Sequence, residues 1–511
     1  MWLTRTYGLE HWPTTVFILI SLAISGPHYG ATILRVYEHR EDRRRYVFFA
    51  LWATLAITVL FVAGLSKVWI GSILVTVYTT WSPWHFSGQN YGVAVMFLRR
   101  RGVPLPPLAK RFLYASFILA FALAFLVMHG QLSIISHASI PVDSLSSYEF
   151  LSLGIPRDVV LILVPLTAIA YAISLVGSAV LLLRNAPLRA LGPAACLVLT
   201  QSLWFALPAA MPVIAQQPLH GLAFTVVWIS AAHGLQYLWI NYYYARGAES
   251  SLRLSPYWLR ALLAGSAVTI FPSILFAPGL LGSVPWDYGL AILLISVVNI
   301  HHFVLDGAIW KLRDGKVARF LLGSAAAGKA GAEGEEIRGV WFRPAMAMLG
   351  VVSLSVAVID GWEREITVNQ SGGDITRMMG AANRLAWIGR DSPMLRSMIA
   401  QNMAAEGQMN DSIDQYEKSL ALFPTGAAWA GLGLVQAGQG RWEEASVAFV
   451  SAIGFDPESS ALLAHSGQAY MHLGRPDLAR VAFERASALA PDNEIIGREL
   501  AKAIAAEAAG S

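Results

Sequence analysis

Histidine can ligate a metal or carry a proton near neutral pH, and this sequence places it in four short stretches. They are Pro27-His28-Tyr29-Gly30, Trp84-His85-Phe86-Ser87-Gly88-Gln89, Ala232-His233-Gly234-Leu235-Gln236 and Asn299-Ile300-His301-His302-Phe303-Val304-Leu305-Asp306. All four lie in strongly apolar segments, where an ionisable side chain is costly and marks a functional site. From each histidine to the next basic cluster the count is 12 residues for His28 to Arg40, 14 for His85 to Arg99, 13 for His233 to Arg246 and 9 for His302 to Lys311; with Arg35 as the marker the first count falls to 7. On helices rising about 1.5 Å per residue, these imidazoles share one layer within about two turns. Four imidazoles at one depth on four helices form the coordination sphere expected of a buried metal, and neutral imidazole suits iron, zinc or copper.

The neighbours extend the pattern. Gln89 follows His85 by four residues, Gln236 follows His233 by three and Asp306 follows His302 by four. That spacing puts each polar group on its histidine's face, where it is expected to orient the imidazole through its second nitrogen. His301 and His302 point about 100° apart on a helix. Asn299, His302 and Asp306 share a face, which favours His302 as the ligand and keeps His301 in reserve. His11, His39, His129, His137, His220, His465 and His472 lie in loops, at segment edges or in the repeats and receive no role.

The elements that must position these residues read as membrane helices. The chain has 511 residues, 55% hydrophobic and 14% charged, with a mean hydropathy of +0.51, whereas a soluble domain carries roughly 25% charge. A bilayer core takes about 20 apolar residues per helix, which predicts about ten spans near 13–37, 46–65, 68–98, 112–129, 158–183, 190–215, 221–245, 258–282, 286–311 and 340–360. The first is expected to be a retained helix rather than a signal peptide, because no basic segment and cleavage site frame it. Arg and Lys cluster after each odd-numbered span, so the positive-inside rule puts both termini outside the cytoplasm. The expected location is an integral protein of a bacterial inner membrane, with no nucleic-acid partner in view of a net charge of only +4. The single cysteine, Cys196, excludes an intramolecular disulfide and a multi-thiolate metal site. Residues 320–339, rich in Gly and Ala, read as a flexible linker before the last span.

After residue 361 the apolar runs end. Trp429, Leu432, Gly433, Gly440, Ala445, Phe449, Ala452 and Pro457 fit the tetratricopeptide helix–turn–helix pattern. Gly467, Tyr470, Gly474, Ala479, Phe483, Ala486 and Pro491 repeat it, and Gly407, Ser412, Tyr416 and Pro424 form an earlier copy; the prolines fall 33 and 34 residues apart. A weaker copy is expected before residue 393 and a capping helix over 492–509. The chain therefore reads as all-α: a transmembrane helical bundle over 1–360, then an α-solenoid of repeats over 361–511 on the periplasmic or external side, expected to dock a protein or peptide.

Gly26-Pro27-His28-Tyr29-Gly30-Ala31 resembles the Pro-His-Gly-Ala signature of the Brp/Blh family of membrane β-carotene dioxygenases, with Tyr29 interposed. His85-Phe86-Ser87-Gly88 resembles that family's His-Phe-Gly element with one extra residue, and His233-Gly234-Leu235-Gln236-Tyr237 is similar in character to its later histidine helix. The resemblance covers at most residues 20–310; an acidic residue common after the family's first signature has no clear counterpart, and the His301-His302 pair and the repeats are additions. It implies a helical membrane bundle with histidine-bound iron, acting with oxygen on a lipophilic, polyene-like substrate.

Other readings compete. A bis-histidine haem protein needs paired histidines at two depths, but His220 and His233, 13 residues apart, fall on different faces. A desaturase-like di-iron site needs many more histidines. A polytopic glycosyltransferase with lumenal repeats shares the architecture but needs a carboxylate in the first external loop. Ser66-Lys67 and its neighbours offer none, while Asp143, Glu149 and Asp158 lie in or beside the loop 130–157. A non-enzymatic membrane assembly factor or scaffold leaves the shared histidine depth unexplained.

Overall fold

In a computed structural model, the structure describes residues 20–38, 40–131, 148–215, 222–248, 251–310, 317, 321, 341–369 and 371–510. Nearly all of the linker 320–339, residues 13–19 of the first expected span and Asp143 lie outside the described residues. The described chain is helical, and among the described residues there is no β-strand, only two isolated bridges. It divides into two compact units, one made of Met1–Ser273 with Tyr288–Ala357, the other of Ile274–Asp287 with Val358–Ser511.

The first unit contains α1 (Gly26–Tyr37), α2 (Thr54–Ser66), α3 (Val68–Arg100), α4 (Pro107–His129), α5 (Arg157–Leu183), α6 (Leu188–Gln201), α7 (Leu207–Ile214), α8 (Leu222–Ala248), α9 (Leu254–Thr269), α10 (Leu290–Ile309) and most of α11 (Phe342–Trp362). Seven described helical stretches are long and apolar enough to cross a membrane: Phe48–Ser66, Pro107–His129, Arg157–Leu183, Leu188–Ile214, Leu254–Leu275, Leu290–Ile309 and Phe342–Glu365. The histidine helices α3 and α8 are as long but fall outside that set, because Ser, Thr, His, Gln and Asn dilute their apolar character.

Two features of sequence shape this unit. The eighth expected span, 258–282, ends early: α9 stops at Thr269, a short helix covers Phe271–Leu275, and the chain then turns through Gly279, whose φ is +87°. Pro272 and Pro278 deprive the backbone of donors there, which ends helices. Helix α10 is 72% buried along its length, against 17–39% for the other six apolar stretches, so it runs through the centre of the bundle. It also carries Asn299, His302 and Asp306, whose polar groups are costly against lipid and are buried here against neighbouring helices. Helix α1 packs backbone-to-backbone on α9; a methyl on Gly30 would lie 1.7 Å from the Ala261 carbonyl oxygen, and one on Gly265 would lie 1.6 Å from that of Gly26.

The second unit is a run of helical hairpins: α12 (Ile375–Trp387), α13 (Pro393–Ala405), α14 (Met409–Leu422), α15 (Gly426–Gly438), α16 (Trp442–Phe455), α17 (Ser460–His472), α18 (Pro476–Leu489) and α19 (Glu494–Gly510). Ser and Thr caps start several of them: Ser392, Thr425 and Ser459 each accept a backbone N–H three residues on. Glycines admit the aromatic wedges, since Gly433 leaves room for Phe449 and Gly467 for Phe483. Between α12 and α13, Arg390 is buried with its guanidinium 4.0 Å over the Trp286 ring. Burial pulls that guanidinium down to about 10, against the nearby carboxylate of Asp360.

Candidate metal centre

Four helices of the first unit carry the site. Helix α1 begins at Gly26, with Pro27 in its first turn where a missing N–H costs nothing, and brings in His28. Helix α3 supplies His85 two residues after Pro83, α8 supplies His233, and the central α10 supplies His302. Their rings converge. Centroids are 4.3 Å apart for His28 and His302, 5.0 Å for His28 and His233, 5.1 Å for His85 and His233, and 5.3 Å for His85 and His302. One ligand atom each from His28, His233 and His302 lies within 4.8 Å of the others, and the same holds for His85, His302 and Asp306.

Hydrogen bonding distinguishes this cluster from an ordinary polar core. His28 Nδ1, His85 Nε2, both nitrogens of His233 and His302 Nε2 are buried without a hydrogen-bond partner. An unsatisfied buried polar atom costs about 1–3 kcal/mol, and here several converge on one point. Three atoms no more than 4.8 Å apart lie within about 2.8 Å of a common centre, so closing either group onto an ion bound at about 2.0–2.1 Å takes an inward shift of up to about 0.7 Å per ligand atom. The donor set fits a borderline metal ion such as iron: imidazole nitrogens with one carboxylate oxygen close by.

The outer groups hold these donors in place. Thr32 Oγ1 shares a hydrogen bond of 2.9 Å with His302 Nδ1, which turns Nε2 of that ring toward the cluster. Thr32 also meets the Tyr237 hydroxyl at 2.6 Å, and Tyr237 donates to Asp306 Oδ1 at 2.5 Å while accepting from the Trp310 indole at 3.2 Å. Asp306 Oδ2 is thereby left 3.4 Å from His302 Nε2 and 3.7 Å from His85 Nε2. Phe303 stacks on His85 with centroids 4.3 Å apart, and Phe86 lies 4.2 Å from His233.

The remaining candidates are placed differently. His301 faces away from the cluster, its Nε2 2.9 Å from Thr54 Oγ1 and 3.4 Å from the Tyr37 hydroxyl, because one helical residue turns it about 100° from His302. Gln89 and Gln236 reach each other, Nε2 of the first donating to Oε1 of the second at 3.1 Å. Gln236 does not orient His233, whose nitrogens are both without a partner, and the Gln89 amide donates to Gln236 rather than to His85; two amides facing across a helix pair satisfy each other first. Asn299 accepts from the Tyr29 hydroxyl at 2.9 Å rather than meeting His302. Sequence reasoning passed over Thr32 and Tyr237. The signal was present: each follows a cluster histidine, His28 or His233, by four residues.

A cavity of about 340 Å³ adjoins the cluster. His85 and Asp306 line it, together with Gln89, Trp81, Trp84, Tyr237, Phe303 and Trp310; His28, His233 and His302 are not part of its lining. Its size is at the small end of ligand pockets, roughly 300–1,000 Å³.

Comparison with known proteins bears on the second unit. A tetratricopeptide-repeat family model matches residues 436–503, so this part of the chain consists of tetratricopeptide repeats. A crystal structure of the APC/C hetero-tetramer Cut9-Hcn1 is similar over 61% of this chain at 12% identity, with a TM-score of 0.24; the match spans 63% of that chain, less than two thirds. No curated protein sequence matches this chain.

Proposed function

We propose that residues 1–360 form an integral membrane bundle that binds one metal ion, iron, through His28, His85, His233 and His302, and oxidises or cleaves a lipophilic substrate with oxygen. Residues 361–511 form the docking module for a protein or peptide, on the external face to which the basic residues assign both termini. The observation that carries the metal reading is the convergence of buried, unpartnered ring nitrogens from four helices. The resemblance to the Brp/Blh family supports iron and a polyene-like substrate, and the aromatic cavity at His85 supports an apolar one.

Bound iron supplies the capacity to activate oxygen. The chain's own residues supply the rest. Thr32 holds His302 in one orientation, Thr32 and Tyr237 fix Asp306, and Phe303 sets the plane of His85. Trp81, Trp84, Phe303 and Trp310 line the cavity with apolar rings, which favours an uncharged ligand.

Metal analysis of the purified full-length protein tests the reading. The expected result is about one iron per chain, lost in His302→Ala with helix content preserved. A metal-free wild-type protein overturns it and leaves the repeats as the working part of a docking scaffold, for which the repeat match speaks. Reporter fusions after Ser511 test the topology: a C-terminus on the cytoplasmic side overturns the assignment of the repeats.

A further inference from the structure

Helix α10 keeps nearly all of its surface inside the bundle; Ile295 and Gly307 are its only exposed residues. On α3, which packs against α10, Trp84 and Gly88 are exposed on one face, four residues apart. Trp84, Gly88 and Gly307 all belong to the wall of the cavity, so the cavity reaches the surface of the bundle between these two helices. Neither glycine is crowded there: a methyl group built on Gly88 or Gly307 meets nothing within 4 Å. The depth of this opening decides what can enter. Gly88 precedes the cluster at Arg99 by 11 residues and Trp84 by 15, about 16 and 22 Å along α3. Gly307 is nearer the basic end, four residues before Lys311. A hydrocarbon core about 30 Å thick therefore covers Trp84 and Gly88, and the opening faces the acyl chains of the leaflet on the basic side.

Inside, the wall also carries polar atoms. The Tyr237 hydroxyl is committed to Asp306, Thr32 and Trp310, and Asp306 to Tyr237 and the imidazoles beside it. Gln89 is different. Its amide nitrogen donates to Gln236, while its carbonyl oxygen accepts no hydrogen bond among the described residues. It lies one helical turn, about 6 Å along α3, past His85. A carbonyl oxygen open to an apolar cavity is met most favourably by a donor on the ligand. Among the described residues, no Arg or Lys lines the cavity to pair with a phosphate or carboxylate headgroup.

We propose that the cavity takes an uncharged, hydroxyl-bearing lipid laterally from the bilayer, through the opening at Trp84, Gly88 and Gly307, and that Gln89 recognises its hydroxyl. The inference rests on the reading of residues 1–360 as a membrane bundle, and it adds a route of entry and a polar group on the ligand.

The test uses the full-length protein in phosphatidylcholine nanodiscs with three diazirine probes: a long-chain alcohol, the hydrocarbon of the same length and a short water-soluble carboxylate. Photolabelled residues are read by mass spectrometry. Ile240 and Phe303 line the cavity and are only 7% and 3% exposed, so label on them reports an occupied cavity. Ile173 on α5, 59% exposed, reports contact with lipid. The alcohol is expected to label Ile240 or Phe303 about tenfold more than the hydrocarbon, the effect of one hydrogen bond, and the carboxylate is expected to label neither. Gly88→Leu is expected to lower the alcohol's label there about tenfold, as a misplaced methylene or more does in an apolar pocket, with Ile173 label and metal content unchanged. Gly88→Ala, whose methyl meets no neighbour, is expected to fold as the parent does and lower the label less. Gln89→Leu is expected to bring the alcohol down to the level of the hydrocarbon. Carboxylate label in the cavity, equal label from alcohol and hydrocarbon in the parent, or undiminished label in a folded Gly88→Leu protein overturns the inference. The parent comparison alone decides it if the substituted proteins do not fold. Ile173 left unlabelled by both lipid probes would end the membrane reading and this inference with it. A metal-free parent that labels as expected ends the metal reading alone.

Discussion

The two units bury polar side chains to opposite ends. In the repeats, buried polar groups complete each other: Arg396 is paired with Asp391 at 3.0 Å and donates to Gln415 at 3.1 Å, Ser412 donates to the Ala400 carbonyl at 2.7 Å, and Ser419 to that of Pro393 at 2.8 Å. Unpartnered atoms of the second unit, such as Asp287 Oδ1 before α10 and Gln436 Oε1 in α15, are scattered. In the bundle, the unpartnered ring nitrogens of His28, His85, His233 and His302 converge. A satisfied network fixes a fold, whereas a convergent unsatisfied one stores a cost that a ligand removes. Burial alone does not separate scaffold from site; the state of the hydrogen bonds does.

That contrast can be broken or sharpened by substitution. The largest effect is expected from Phe483→Ala, which empties a fully buried wedge of the repeats; a loss of about 3–5 kcal/mol in denaturant unfolding of the repeat unit, with metal content unchanged, is the expected outcome. Loss of metal in that variant would mean that the units are not separable in this way. Next is Gly30→Ala, whose new methyl collides with the Ala261 backbone. Thermal melting should show a destabilisation of about 1–3 kcal/mol or more, and a parent-like melt would show that α1 and α9 are not held this closely.

Thr32→Val removes the hydroxyl beside His302 Nδ1 while keeping the shape. Metal affinity measured by competition with a chelator should fall by about 10–100-fold, and unchanged affinity would assign Thr32 to packing alone. The smallest effect is expected from His233→Leu in metal-free protein. Both nitrogens of this ring lack partners, so removing them should leave apo stability within about 1 kcal/mol of the parent or raise it, while metal retention falls. A clear loss of apo stability would show that the ring is structural.

Much of this architecture is written in local pattern. Apolar runs mark the helices, and Gly433, Phe449, Gly467 and Phe483 recur at the repeat spacing, because a hairpin of two helices imposes the same demand each time it is built. The histidines stood out because an imidazole in an apolar run is rare. Spacing along one helix also separated the faces of His301 and His302, but only the packed bundle turned one toward His28 and the other toward Thr54. The pairing of Gln89 with Gln236 and the hold of Thr32 and Tyr237 on their neighbours were decided there too. Each depends on the rotation and tilt of one helix against another. Those are set by the summed packing of many side chains, and no count along a single chain segment contains them.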